Sequence, residues 1–336
     1  MSIKLITAFV VAFLFGTAFG KYYVPWLRRQ KAGQEIKKIG PSWHMNKSGT
    51  PTMGGVIFIL ATLLVILTVG FESMLKGRYV HLFVFIFALA FGFIGFLDDW
   101  EKLKKKQNLG LTAKAKFALQ LAAALLFVVL MARMGFITGQ LYVPFFNVTV
   151  HIHRWIYYVL AAFVIVGTVN AVNITDGVDG LAAGTSIPVV LFFVAVTYRV
   201  GEEYLELGIF ASALIGGLAA FLVYNFNPAK CFMGDTGSLF LGGAVAALAF
   251  AYDMPLILVT LGIVYIIETL SDIIQVTYFK ATHGKRIFKM APFHHHLEMG
   301  GWTGKKWSEK ELFCLFGGVS LLFAVISFLG VQGRYL

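Results

Sequence analysis

Residues 79–106 read YVHLFVFIFALAFGFIGFLDDWEKLKKK. From Tyr79 to Leu97 no Lys, Arg, Asp or Glu interrupts an apolar run. At 1.5 Å rise per residue such a run crosses the ~30 Å hydrocarbon core of a bilayer as a helix. It ends in two adjacent carboxylates, Asp98 and Asp99, followed by a cluster of lysines. Lysine-rich flanks stay in the cytoplasm, so this segment predicts a membrane helix whose C-terminal end carries reactive acids at the cytoplasmic boundary.

The same pattern recurs along the chain. Apolar segments fall at about 5–23, 53–71, 79–97, 115–134, 155–172, 186–200, 207–224, 237–252, 254–279 and 311–331. The reading is an all-α polytopic membrane protein of about ten transmembrane helices, organised as one integral membrane domain over 1–336. The composition agrees: 58% of residues are apolar and 13% charged, against about 25% charged in a soluble domain. The 35 glycines suit close helix approach in lipid. A net charge of +11 raises the question of nucleic acid, but the basic residues gather in alternate loops. The loops after the first, third and ninth segments hold most of them, including Lys47, Lys102, Lys114 and Lys289. Those loops are expected in the cytoplasm, with both termini outside, the bilayer as partner and no nucleic acid. The charge excess after the first segment favours an uncleaved anchor over a secretory signal. The external stretch from Phe136 to His153 alternates around Pro144 and predicts a short extracytoplasmic β-hairpin. Cys231 and Cys314 form no motif and read as packing residues.

The chemistry concentrates in the cytoplasmic loops, at about 24–52, 98–114, 170–185, 225–238 and 280–310. Paired acids such as Asp98 and Asp99 repel each other and resist desolvation, which a divalent cation or a phosphate-bound cation would relieve; the alternative is a solvated pair marking the interface. Asn170 to Gly180 is a loop without Lys or Arg, in which Asn170, Asn173, Asp176 and Asp179 offer hard oxygens or hydrogen bonds for a ribose or base. The alternative is an ordinary turn whose Asn and Asp cap the next helix. Asp235 opens the eighth segment, where the helix dipole favours a carboxylate, so it reads either as a cap or as a phosphate- or metal-site residue. His294, His295 and His296 are three consecutive internal histidines, able to bind metal when neutral and phosphate when charged. Adjacent side chains point in different directions, so one or two are expected to face a site. Lys47 and Thr52 belong to a Gly-rich helix start that suits anions. Glu268, Asp272 and Gln275 share one helical face of the ninth segment, serving either a substrate groove or a structural network. Carboxylates, lysines, histidines and anion-binding backbone on one side suit Mg²⁺-assisted phosphoryl transfer.

These motifs resemble the phospho-N-acetylmuramoyl-pentapeptide transferase family, within the polyprenyl-phosphate N-acetylhexosamine-1-phosphate transferase superfamily, over essentially the whole chain. The carriers are Lys47 with Gly49–Gly55, Asp98–Lys102, Asn170–Gly180, Asp235 within Met233–Ser238, and Pro292–Glu298. The resemblance implies an Mg²⁺-dependent enzyme, often a homodimer, that uses UDP-MurNAc-pentapeptide and undecaprenyl phosphate to give lipid I and UMP. It implies that Asp235, with Asp99, holds the metal, that Asp98 is base or nucleophile, and that His295 shares in catalysis. Lys47, Thr52, Lys102 and Lys114 would bind phosphates. Asn170, Asn173, Asp176, Gly177, Val178, Asp179, Asn225 and Phe232 would surround the nucleoside, with Gln275 at its border, and His294 and His296 would touch the pyrophosphate or the sugar. Two rivals stand beside this reading: a transferase of UDP-GlcNAc, and a cation-coupled transporter. Against the transporter, the polar motifs lie in one-sided loops and no paired broken helices occur in two halves.

Overall fold

The computed structural model describes residues 1–30, 47, 49–105, 109–137 and 139–334. Parts of the predicted loops 24–52 and 98–114, including Lys31, Lys37, Lys38 and Lys106, lie outside the described residues. Helices α1 (Ser2–Arg29), α2 (Val56–Thr68) and the short α3 (Phe71–Leu75) are followed by α4 (Val80–Lys105) and α5 (Ala113–Arg133). Strands β1 (Gln140–Val143) and β2 (Val148–His151) precede α6 (Arg154–Thr175), α7 (Leu181–Val200), α8 (Leu205–Asn225) and α9 (Gly234–Ala251). The chain closes with α10 (Leu258–Leu261), α11 (Ile263–Ala281), α12 (Phe293–Glu298) and α13 (Glu309–Gly330).

Among the described residues, eight helices are long and apolar enough to span a membrane. The two other predicted segments depart from straight spans. The second, expected over 53–71, is a helix of only 13 residues, about 20 Å long. Its first residues make a different structure: the backbone pairs Phe232 N–H with Pro51 C=O at 2.8 Å, and Gly54 N–H with Phe232 C=O at 2.8 Å. Met53 takes a left-handed φ of 69° there, so the helix starts only at Val56. The ninth, expected over 254–279, bends by 78° between α10 and α11. The break falls at Gly262, where a side chain would press on the Leu258 carbonyl. Conversely, α7 begins at Leu181 and α9 at Gly234, ahead of the starts at 186 and 237 read from hydropathy, because small and polar residues open both helices.

Helix α9 is the hub. Every residue from Thr236 to Ala251 is buried, and α4, α6, α2 and α7 pack around it. Lipid tails are as apolar as leucine, so burial from water drives none of this association; van der Waals fit between small residues does. Gly55 of the α2 start meets Gly237 backbone to backbone, and a Cβ on Gly95 of α4 would strike the Asp235 carbonyl. The outer faces of α1, α5 and α13 expose Ile3, Leu14, Leu126, Leu322 and Leu329, which suits contact with lipid. Cys231 is buried, whereas Cys314, expected in packing, is exposed on α13.

The expected hairpin pairs Gln140 with His151 and Val143 with Val148, antiparallel. It sits at the end of the bundle opposite the reactive loops, where Phe145 N–H reaches Gly330 C=O at 2.7 Å and Arg334 binds Asp253 at 3.2 Å. Replacing Gly95 with Ala should cost about 1–3 kcal/mol by overpacking and push Asp98 and Asp99 away from α9. Thermal unfolding of the detergent-solubilised protein checks the first effect, and loss of turnover at temperatures where the variant is still folded checks the second.

Candidate active site

The last helical turns of α4 and the first turn of α9 bring three carboxylates together. One oxygen from each of Asp98, Asp99 and Asp235 lies within 4.8 Å of the others. Asp98 and Asp99 are adjacent, so they leave α4 in different directions and play different parts. Asp99 turns to the α9 N-terminus: Oδ2 accepts from the Thr236 N–H at 2.9 Å and hydroxyl at 2.7 Å, and Oδ1 from the Asp235 N–H at 3.2 Å. These are first-turn amides with no partner inside their helix, and the helix dipole favours a negative charge beside them. Gly234, at φ 70°, leaves the room: a Cβ there would stand 2.6 Å from both Asp99 Oδ2 and the Thr52 hydroxyl. Thr52 Oγ1 is buried and has no hydrogen-bond partner among the described residues.

Asp98 accepts from the Leu111 N–H at 2.9 Å and pairs with Lys102 Nζ at 2.6 Å. The same ammonium is 2.8 Å from Asp235 Oδ2, which also receives Lys116 Nζ at 2.9 Å. Asn173 Nδ2 donates to Asp235 Oδ1 and to Ser238 Oγ, both at 2.7 Å. Lys116 was missed in favour of Lys114, which is exposed on the same helix. The intervening loop hid the phase of α5, so spacing from Lys102 could not choose between them. Asn170, expected at the site, instead binds Gln120 of α5 at 2.7 Å and the Val166 carbonyl at 2.8 Å.

A second polar cluster joins four distant segments. Lys47 Nζ lies 2.6 Å from both Asp179 Oδ1 and Glu309 Oε2, and Glu309 also accepts from the Asp179 N–H at 2.9 Å. Asp179 Oδ2 receives Asn227 Nδ2 at 3.0 Å and the Ala229 N–H at 2.9 Å. Asn225 is buried and bridges the Gly180 N–H and the Cys231 carbonyl, both at 2.9 Å. Asp179 and Asn225 thus shape the loops, and Val178 packs with Val264, Leu312 and Phe316. Half-buried Phe232 sits beside them on its pairing with Pro51 and Gly54. Glu309 escaped the sequence reading, although the Ser308–Glu311 capping box marks the helix start that places it.

Between the clusters stands Asp176, with no cation or donor paired to its carboxylate among the described residues. Burial holds its carboxyl well above the usual carboxylate range, and the charges of Asp235, Asp99 and Asp179 add to the effect. Gly177 is exposed next to it, and a Cβ there would collide with His294 Nε2.

The three histidines diverge, as their adjacency requires. His294 is fully buried, with Nδ1 2.8 Å from Glu268 Oε2. His295 Nδ1 meets Glu298 Oε2 at 2.6 Å. His296 turns into an aromatic cluster of Phe288, Phe293 and Trp302, where its Nδ1 accepts from the Lys289 N–H at 3.1 Å. Burial and the Lys289 charge hold its imidazole below the ordinary range, in the neutral form. Gln275 Oε1 accepts from the Ile287 and Phe288 N–H groups at 3.1 and 2.9 Å, and the residue lines a cavity with Asp272, Arg286, Met290 and Ala291.

A family model described as Glycosyl transferase family 4 matches residues 81–253. The Phospho-N-acetylmuramoyl-pentapeptide-transferase signature 1 matches residues 47–59. The chain is 44% identical over 323 residues to the phospho-N-acetylmuramoyl-pentapeptide-transferase of Listeria monocytogenes serotype 4b, covering 96% of this chain and 97% of that one. It is 44% identical to the Bacillus cytotoxicus protein of that name, over 96% of each chain. The Clostridium botulinum protein is 43% identical over 97% of this chain and 96% of its own. Identity of this order over nearly the full length, on a bundle that gathers the matched motifs at one end, makes the chain a member of the phospho-N-acetylmuramoyl-pentapeptide-transferase family.

Proposed function

We propose that the chain transfers phospho-MurNAc-pentapeptide from UDP-MurNAc-pentapeptide to undecaprenyl phosphate, giving lipid I and UMP, at the cytoplasmic face of a bacterial cell membrane. The supporting observation is the Asp98–Asp99–Asp235 cluster, bracketed by Lys102 and Lys116, at one end of a membrane-spanning bundle. A soluble polyanion and a lipid whose phosphate sits at the interface can both reach such a place. The lysine-rich loops at this end support the cytoplasmic orientation, with both termini outside. The family resemblance supports a homodimer as the working unit.

The donor set fits Mg²⁺. Three carboxylates answered by two lysines supply hard oxygen ligands and a deficit of positive charge. Asp235 would hold the ion with Asp99, whose oxygens already serve the first turn of α9. The bound ion would neutralise negative charge on the diphosphate. Lys102 and Lys116 would share that task, since phosphoryl transfer depends chiefly on positioning and charge. Asn173 fixes the Asp235 carboxylate. Asp98 would accept the proton of the lipid phosphate. An oxygen of that phosphate then bonds to the phosphorus carrying MurNAc, the bond from this phosphorus to the UMP oxygen breaks, and UMP leaves with the electron pair. Loops 176–180 and 225–232 would take the nucleoside, with Phe232 against the uracil ring.

Mg²⁺-dependent UMP release, measured side by side with UDP-MurNAc-pentapeptide and UDP-GlcNAc and with or without undecaprenyl phosphate, tests this reading. Release from UDP-GlcNAc alone would reject the donor. Asp98→Asn and Asp235→Asn should each lower kcat by about 10³-fold or more in folded protein; substantial turnover in either removes its assigned role. Substitution at Lys116 by Met should cost roughly 10²-fold in kcat/KM, whereas Lys114→Met should stay within about threefold, a contrast that steady-state kinetics reads directly. For Asp176 the raised pKa fixes the sign of a stability effect. Above that raised value the folded state carries an unfavourable charge, and below the ordinary carboxylate range it does not. Asp176→Asn should therefore raise Tm at pH 8 in the absence of substrate. The gain should shrink as pH falls and vanish near pH 4, and melting curves across that range check it.

A further inference from the structure

We infer that Glu268 is the positioning residue for His294, fixing Nδ1 as a donor and leaving Nε2 as the ring atom presented to substrate beside the Asp176–Gly177 turn. Both side chains are fully buried, and Glu268 Oε2 lies 2.8 Å from His294 Nδ1. The same oxygen accepts from the backbone N–H of His294 at 3.4 Å. It therefore acts as an acceptor toward this residue, which makes Nδ1–H the donor in the ring contact.

An imidazole held at Nδ1–H has its remaining nitrogen defined. His294 Nε2 is buried and has no partner among the described residues, an expensive condition for a polar atom unless something arrives to satisfy it. It faces Gly177, whose missing Cβ would otherwise strike it. Gly177 is itself exposed, next to Asp176. The His295 ring meets His294 edge to face, with centroids 4.2 Å apart, which limits the freedom of His294 to swing away. A carboxylate on one nitrogen and a buried second nitrogen with no partner among the described residues match the base–orienter arrangement of catalytic histidines. Glu268 lies within α11, six residues past the bend at Gly262.

The inference rests on the function proposed above, and its test has a readout that needs no turnover. Glu268→Gln, Glu268→Asp and His294→Gln are compared with the unaltered protein, with fold checked by thermal melting. Histidine ¹⁵N spectra are recorded, and the His294 signals are assigned by their loss in His294→Gln. In the unaltered protein we expect the Nδ1–H form. In Glu268→Gln the two ring ¹⁵N shifts should move toward each other as the tautomers exchange. Its kcat should fall by roughly 10²-fold or more, as for a histidine that loses its orienting acid, with KM for UDP-MurNAc-pentapeptide within about threefold. Glu268→Asp, which keeps the charge, should retain at least about tenfold more activity than Glu268→Gln. The double variant should be no slower than His294→Gln, because residues acting as one unit are not additive. Unchanged ¹⁵N shifts in Glu268→Gln, or a kcat within threefold of the unaltered protein, would overturn the inference. Absence of UMP release from the unaltered protein would instead reject the proposed function and leave the tautomer measurement to judge the dyad.

Discussion

The contact between α4 and α9 is the constraint from which the site follows. Only a glycine at position 95 lets the α4 backbone lie against the carbonyl of Asp235. That approach carries Asp99 onto the free amides of the α9 N-terminus and Asp98 to its side. The arrangement is costly in isolation: three acids gather where water is scarce. It is tolerable because the acids are answered in kind, by a helix dipole on one and by ammonium groups on the others. The same geometry makes the cluster receptive to further positive charge and, through its lysines, to phosphate.

Much of this was legible in the sequence, for two reasons. Hydropathy fixes the spans because a bilayer demands long apolar helices, and an acid retained at a membrane boundary is conspicuous against that background. Asp98, Asp99 and Asp235 were visible on those terms, and they do converge, with Asn173 donating to Asp235. The less legible parts depend on phase and partner. Lys114 and Lys116 differ by two residues, about 200° around a helix, and nothing before α5 sets the rotation. Asn170 belongs to the same polar run as Asn173 but faces Gln120, a partner fifty residues away that no local pattern announces.

The short α2 and the bent ninth segment were also beyond hydropathy, which scores a broken span and a whole one alike. In both places the polar backbone finds partners within the protein: the α2 start pairs with residues 232–233, and the bend falls where Gly262 allows the chain to turn. Irregular backbone at membrane depth is tolerated only where the protein itself shields it.

The bond from Glu309 to both Lys47 and the Asp179 amide has a temporal consequence. Glu309 stands in the first turn of the last span, whereas Lys47 precedes the second. During synthesis the glycine-rich turn around Asp179 is finished long before its final tether emerges from the ribosome. A nascent chain lacking α13 would hold the acidic cluster and would keep that turn on Lys47, Asn225, Asn227 and the Ala229 amide, while the Asp179 amide and the Lys47 ammonium would wait for their carboxylate partner.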